Sequence, residues 1–111
     1  MSINDLQKQI HAQNVEMGWW DKPREKGTLL MLVVSEIAEA MEGERKDLMD
    51  DHLPHRKMAE VELADAVIRI FDYAEAFGYD LQSAIHEKIA YNRTRADHQL
   101  ENRNKPGGKA F

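Results

Sequence analysis

The sequence predicts an all-α fold with a four-helix core. Four segments of the 111-residue chain place apolar side chains three and four positions apart, a spacing that gathers them on one face of a helix. Glycine, proline or polar clusters separate these segments, and none alternates apolar and polar residues as a half-buried strand does. We expect one domain over residues 1–97, followed by a flexible basic tail over residues 98–111.

The first helix is delimited by a capping signal and a glycine. Ser2 and Asp5 have the spacing of a capping box, in which each side chain accepts a hydrogen bond from the other residue's backbone N–H. The apolar pattern fades near Gly18. Residues 19–23 are predicted to form a loop, because Pro23 disfavours helical backbone in the residue before it.

The second and third helices carry the strongest apolar patterns. The second is predicted over residues 28–43 or slightly beyond, and the third over residues 56–77, with Gly78 as its C-terminal stop. The third helix has two apolar stripes, so we expect it to be buried on two sides at the centre of the domain. One stripe consists of Leu63, Val67, Ile70, Ala74 and Phe77, and the other of Val61, Asp65, Ile68 and Asp72. A fourth helix is predicted to follow a cap at Asp80 and to run through Asn92.

Composition limits the classes of function. Apolar residues make up 42% and charged residues 32% of the chain, which is typical of a soluble globular protein. The absence of cysteine excludes disulfides and thiolate chemistry. No apolar run approaches a membrane span, and the N-terminus lacks the features of a signal peptide, so we expect a cytoplasmic protein without a membrane partner. The net charge of −5 argues against duplex nucleic acid as the main partner.

Two pairs of acidic residues stand out within the apolar patterns. Glu36 and Glu39 lie on the second helix, and Glu62 and Asp65 lie on the third. Residues three apart are neighbours on a helix face, so each pair forms a claw of two carboxylates. Carboxylates among apolar residues are costly unless they are paired or bind a metal ion. Two facing claws therefore predict a metal site, although glutamates at this spacing also occur on ordinary exposed helix faces.

The ligand chemistry favours Mg²⁺, with Mn²⁺ as a substitute. All four candidate ligands are carboxylates, which suit hard cations better than zinc. A di-iron bundle would require Glu-x-x-His motifs, and no histidine of this chain has an acidic residue three positions before it.

A basic cluster follows on the fourth helix. Lys88 and Asn92 share one helix face, and Arg95 follows three residues later. An ammonium group, an amide and a guanidinium group together suit an oligophosphate. The alternative is an ordinary charged helix terminus, because basic residues are favoured in the last turn.

Trp19 and Trp20 lie in the predicted loop. An aromatic side chain in a loop either anchors the loop to the core or stacks on a nucleobase. The sequence leaves both roles open, and we do not expect the two residues to share one role.

These motifs resemble the metal signature of the all-α nucleoside triphosphate pyrophosphohydrolases, most of all the MazG-like branch. The resemblance rests on LVVSEIAEAMEGER at residues 32–45 and ELADAVIRIFDY at residues 62–73. The run Lys88-x-x-x-Asn92-Arg93 is similar to an element of the last helix in that superfamily. The similarity covers about residues 15–95.

The resemblance implies a fold, a reaction and a set of site residues. A four-helix core would dimerise or tetramerise, and Mg²⁺ would support cleavage of a nucleoside triphosphate between its α- and β-phosphates. Glu39 is the candidate general base. The metal ligands would be Glu36, Glu39, Glu62 and Asp65, and the substrate would contact Trp20, Lys88, Asn92 and Arg95.

Two other functions stay open at this point. One is a non-catalytic helical module that binds a nucleotide or a protein. The other is a pyrophosphatase specific for dUTP or dCTP. Phosphate release from a panel of triphosphates, with and without Mg²⁺, would separate the binding module from an enzyme.

Overall fold

The computed structural model describes residues 1–95 as four α-helices, with no strand among these residues. The helices are α1 (Ile3–Glu16), α2 (Lys26–Lys46), α3 (Met58–Ala76) and α4 (Leu81–Thr94). The predicted all-α class and the number of helices are thus confirmed. The predicted tail at 98–111 lies outside the described residues. No described helix combines the length and the apolar character that a membrane span needs.

Both predicted N-terminal caps are present. The Asp5 backbone N–H donates to Ser2 Oγ over 3.0 Å, and the Ser2 N–H donates to Asp5 Oδ2 over 3.1 Å, which completes the capping box of α1. At α4, the backbone N–H of Ser83 donates to Asp80 Oδ1. Gly78 follows α3 with a φ of +75°, a conformation that glycine adopts without a steric penalty.

The connection between α2 and α3 is more ordered than the sequence indicated. We predicted that α3 begins near residue 56, whereas it begins at Met58. Residues 49 and 57 pair in an isolated antiparallel bridge, which keeps the backbone extended up to the start of the helix. Asp50 is buried, and its Oδ2 accepts hydrogen bonds from the backbone N–H groups of His52 and Leu53. This polar turn therefore delays the helix.

The chain divides into two compact units, one spanning Met1–Tyr79 and the other beginning at Asp80. Within the first unit, α3 packs against both α1 and α2, so the predicted central position of α3 is confirmed for these three helices. Gln7 of α1 is buried and its Nε2 donates to Glu75 Oε1 and to the carbonyl oxygen of Tyr79. These hydrogen bonds attach α1 to the C-terminal end of α3.

Small side chains dominate the buried core. No large side chain is fully buried among the described residues. The predicted burial of both stripes of α3 is only partly met, because Leu63, Val67 and Ile70 are 50%, 43% and 38% exposed. Four large apolar residues of α2 are exposed as well, namely Leu30, Val34, Ile37 and Met41. We call these seven residues of α2 and α3 the apolar face. The buried apolar residues are Leu29, Ala40, Ala59, Ala66 and Ala74.

Helices α2 and α3 approach closely where α2 carries a glycine. A Cβ atom added to Gly43 would lie 3.0 Å from the backbone nitrogen of Ala59 and 3.0 Å from the Cβ of Met58. Neither atom belongs to the flexible end of a side chain. A side chain at Gly43 would therefore force the two helices apart.

We predict that Gly43→Ala lowers the free energy of unfolding by about 1–3 kcal/mol, because overpacking outweighs the gain in helix propensity. Gly27→Ala in the same helix is the matched control. A Cβ at Gly27 would meet only the carboxylate end of Glu25, at 3.3 Å, and alanine there should be neutral or stabilising by up to about 1 kcal/mol. Urea unfolding of both variants provides the comparison, and equal stabilisation would contradict the close approach.

Candidate metal centre

Helices α2 and α3 bring the two acid pairs together. One carboxylate oxygen from each of Glu36, Glu62 and Asp65 lies within 4.8 Å of the other two. Glu39 completes the group, because it is near enough to Glu62 for a hydrogen bond when one of the two is protonated. Three of the four predicted ligands thus converge, Glu39 interacts with Glu62 beside them, and we call the four residues the four-acid cluster.

The most constrained member of the cluster is Glu62. Its Oε2 atom is buried and no hydrogen-bond donor faces it. A hydrogen bond with Glu36, which requires a proton on one of the two carboxyl groups, raises the pKa of Glu62 to about 8, with burial and Glu39 acting in the same direction. A buried oxygen without a donor can be satisfied by either a proton or a cation, so the donor set fits a hard divalent ion.

Asp65 is half-buried beside the same group. Burial raises its pKa, the negative charge of Glu36 adds to this effect, and the positive charge of Arg69 opposes it. Arg69 also contacts the cluster directly, because its Nε donates to Glu36 Oε1 over 3.0 Å. Sequence reasoning missed Arg69, although its position four residues after Asp65 places both on one face of α3.

A cavity of about 290 Å³ adjoins the four-acid cluster. Glu36 and Asp65 form part of its wall, and the side chain of Trp19, which is 58% exposed, forms another part. The cavity therefore places carboxylates, an aromatic ring and two guanidinium groups around one space. Its full lining is Asn14, Met17, Trp19, Arg24, Glu36, Asp65, Ile68, Arg69 and Asp72.

Trp20 has a different environment from Trp19. Its indole N–H donates to both carboxylate oxygens of Asp72, at 3.0 Å and 3.2 Å. Asp72 is buried, and its Oδ1 lies 2.7 Å from Nδ1 of His11 on α1. Trp20 lines other cavities, the larger about 490 Å³, but does not line the cavity at the four-acid cluster. Its predicted contact with a nucleobase stays a prediction, and its indole N–H already serves to anchor the loop.

The predicted phosphate-binding residues lie in the second compact unit, with Lys88 and Asn92 on α4 and Arg95 directly after its last residue. Lys88 Nζ lies 4.7 Å from the ring centroid of Tyr91, and Arg95 Cζ lies 5.7 Å from it. The Oδ1 atom of Asn92 is buried and has no hydrogen-bond donor. Lys88 and Arg95 thus both lie near the ring of Tyr91, a contact that the sequence analysis did not predict.

No family model matches the chain, and no curated protein sequence or solved structure matches it significantly. The resemblance to the MazG-like pyrophosphohydrolases therefore stays a prediction from the motifs. The geometry of the four-acid cluster is the independent observation from which a function can be argued.

The raised pKa of Glu62 predicts how stability depends on pH when metal is absent. Folded Glu62 keeps its proton up to about pH 8, whereas the unfolded chain releases it near the ordinary value of 4.5. Between these values the folded state binds more protons, so its stability should fall as pH rises. Urea unfolding in a chelator, at intervals from pH 5 to about pH 8, measures this slope.

Glu62→Gln should flatten that slope, because the amide does not titrate. Glu60→Gln on the same helix is the control, since Glu60 is an exposed residue that pairs with Arg56. Identical slopes in wild type and Glu62→Gln would contradict the shared-proton arrangement.

Proposed function

We propose that this protein is a Mg²⁺-dependent nucleotide pyrophosphohydrolase, which converts a nucleoside triphosphate to a monophosphate and pyrophosphate. The observation that carries the proposal is the convergence of the Glu36, Glu62 and Asp65 carboxylates, in which a buried oxygen of Glu62 lacks a hydrogen-bond donor. An all-carboxylate donor set suits Mg²⁺, with Mn²⁺ as a substitute, and a triphosphate is a substrate that such an ion can bridge to acidic residues.

The residues of the four-acid cluster have two roles in this proposal. Glu36, Glu62 and Asp65 are half-buried, which restricts their side chains, and they would hold the ion. Glu39 is the exposed member, so it can reach a water molecule from solvent and accept its proton as the general base. When bound, Mg²⁺ compensates phosphate charge and lowers the pKa of water.

The reaction forms one bond and breaks one bond at the α-phosphorus. The water oxygen attacks this atom, its proton passes to Glu39, and the bond to the bridging α–β oxygen breaks so that pyrophosphate leaves. The predicted phosphate contacts of Lys88, Asn92 and Arg95 stay a prediction from the sequence, since two cations and an amide suit an oligophosphate.

Of the two tryptophans, Trp19 is the better placed for a nucleobase. Its ring is exposed and lines the cavity beside Glu36 and Asp65, and an exposed π-face suits base stacking. In the proposed complex the base of the substrate stacks on Trp19, and its phosphates bind to the carboxylates through the Mg²⁺ ion.

Glu62→Gln tests the reaction directly. Loss of one anionic ligand should reduce turnover of nucleoside triphosphates by about 10²-fold or more, because even changes to groups that only support a metal ligand cost 10–100-fold. In a chelator at neutral pH the variant should be at least as stable as the wild type, since the amide is neutral without taking up the proton that folded Glu62 must hold. Glu60→Gln should retain normal turnover. Near-normal turnover in Glu62→Gln would refute the site.

The products of the wild-type reaction distinguish the proposal from other nucleotide hydrolases. Chromatography of a product-resolved screen should show monophosphate and pyrophosphate, dependent on Mg²⁺. Accumulation of diphosphate and orthophosphate would refute cleavage at the α-phosphorus. Absence of any hydrolysis, with nucleotide binding retained, would identify a non-catalytic binding module instead.

We also propose that the chain acts as a homodimer or a larger homo-oligomer. The apolar face on α2 and α3 leaves seven large apolar side chains exposed in the single chain, and burial of such residues stabilises association. A second copy offers an identical face, which a two-fold axis brings into register with the first.

Sedimentation equilibrium at micromolar concentration tests the assembly. The wild type should sediment with at least twice the 12.8 kDa mass of one chain. Val34→Glu places a charge on the apolar face and should shift the population to monomer. Val15→Glu on α1 is the control, because Val15 is similarly exposed at 46% but lies outside that face. A monomeric wild type would contradict the assembly.

A further inference from the structure

The guanidinium group of Arg69 is paired with one carboxylate of the four-acid cluster. Its Nε donates to Glu36 Oε1 over 3.0 Å, and the side chains of Arg69 and Glu36 are 39% and 12% exposed. Arg69 also lines the cavity of about 290 Å³ together with Asp65. One carboxylate of the candidate metal centre is therefore already paired with a positively charged side chain.

We propose that Arg69 is an internal counter-cation that competes with a divalent ion for Glu36 and keeps the affinity of the cluster for the free ion low. This inference rests on the proposed function, because it assumes that the four-acid cluster is a metal centre. The inferred role is regulatory, since Arg69 would set when the ion binds rather than take part in the reaction.

Two effects of Arg69 on ion binding oppose each other. The ion pair fixes the orientation of Glu36, and ordering one glutamate side chain is worth at most about thirtyfold in affinity. The positive charge also repels the ion. A unit charge about 5 Å from a divalent ion, at an effective dielectric constant near 20, weakens binding by more than about a thousandfold. Solvent at the exposed part of Arg69 reduces this repulsion, but the repulsion remains the larger effect.

Charge balance gives the functional consequence. Four carboxylates and one guanidinium carry a net charge of −3 when all are ionised, so the cluster attracts a free divalent ion less strongly than four unpaired acids would. A polyanion that binds beside Arg69 offsets its positive charge. The ion is then held best when the anionic substrate is present, and the centre fills together with its substrate.

Calorimetric titration of the full chain with MnCl₂ alone, without any nucleotide, tests the proposal. Arg69→Gln should bind Mn²⁺ at least about tenfold more tightly than the wild type, while Arg69→Lys, which keeps the charge, should stay within about threefold of it. The gain in Arg69→Gln should shrink between 50 mM and 500 mM KCl, because salt screens a charge effect but not a change of shape.

Two further variants make the test decisive. Arg56→Gln removes the same charge from an exposed pair with Glu60 and should leave Mn²⁺ affinity unchanged. Arg69→Met also removes the charge and has an unbranched apolar side chain, so it should bind Mn²⁺ as tightly as Arg69→Gln. It replaces the glutamine variant if that variant folds poorly. Thermal unfolding in a chelator establishes folding, and the Arg69 variants that lose the charge should be less stable there and recover with Mn²⁺.

The outcomes separate this inference from the proposed function. Unchanged or weaker Mn²⁺ binding by both Arg69→Gln and Arg69→Met would overturn the counter-cation role and leave the metal centre in place. No Mn²⁺ binding by the wild type or any variant would overturn both. Tighter binding by the charge-removing variants, in a protein that hydrolyses no triphosphate, would support the role of Arg69 and refute only the proposed reaction.

Discussion

Like charges that meet between α2 and α3 are the constraint on which the rest of this structure depends. The two helices approach closely at Gly43 and Ala59, which lie one turn beyond Glu39 and one turn before Glu62. Ala40 of α2 and Ala66 of α3 are also buried, and such short side chains allow helix backbones to pack closely. Carboxylates on both helices are therefore held at short range, and a proton, a cation or a guanidinium group must compensate them.

The other charged residues of α3 are each matched to a particular partner. Arg69 pairs with Glu36 across to α2, while Asp72 accepts hydrogen bonds from Trp20 and lies against His11 of α1. Along α3, Arg69 therefore faces the four-acid cluster, and Asp72 in the next turn faces the loop that contains Trp20. Because Asp72 fixes Trp20, the neighbouring Trp19 is left with its ring exposed at the cavity wall. Two adjacent tryptophans thereby acquire different roles.

The apolar face and the small core have a common physical origin. Short side chains at the contact of α2 with α3 allow the carboxylates to meet, but they bury little apolar area. The seven larger apolar side chains of the apolar face are exposed instead. The same arrangement that assembles the four-acid cluster therefore leaves large apolar side chains exposed on both helices.

The sequence alone determined the helices and the acid pairs, because both depend on local spacing. Capping residues such as Ser2 and Asp80 act within one turn, and a three-residue separation places Glu62 and Asp65 on one helix face whatever α3 packs against. That the pairs on α2 and α3 face each other was an inference from their apolar context, and in the structure one carboxylate oxygen of Glu36 lies within 4.8 Å of one from each of Glu62 and Asp65.

Only the tertiary structure decided which charges meet and which aromatic ring is free. Arg69 looks like an ordinary polar residue of α3 until α2 brings Glu36 to its guanidinium group. Trp19 and Trp20 are equivalent in sequence, and they differ because Asp72 lies 52 residues from Trp20 along the chain but within hydrogen-bond distance in space. Such pairings depend on the packing angle and separation of whole helices, which no local pattern specifies.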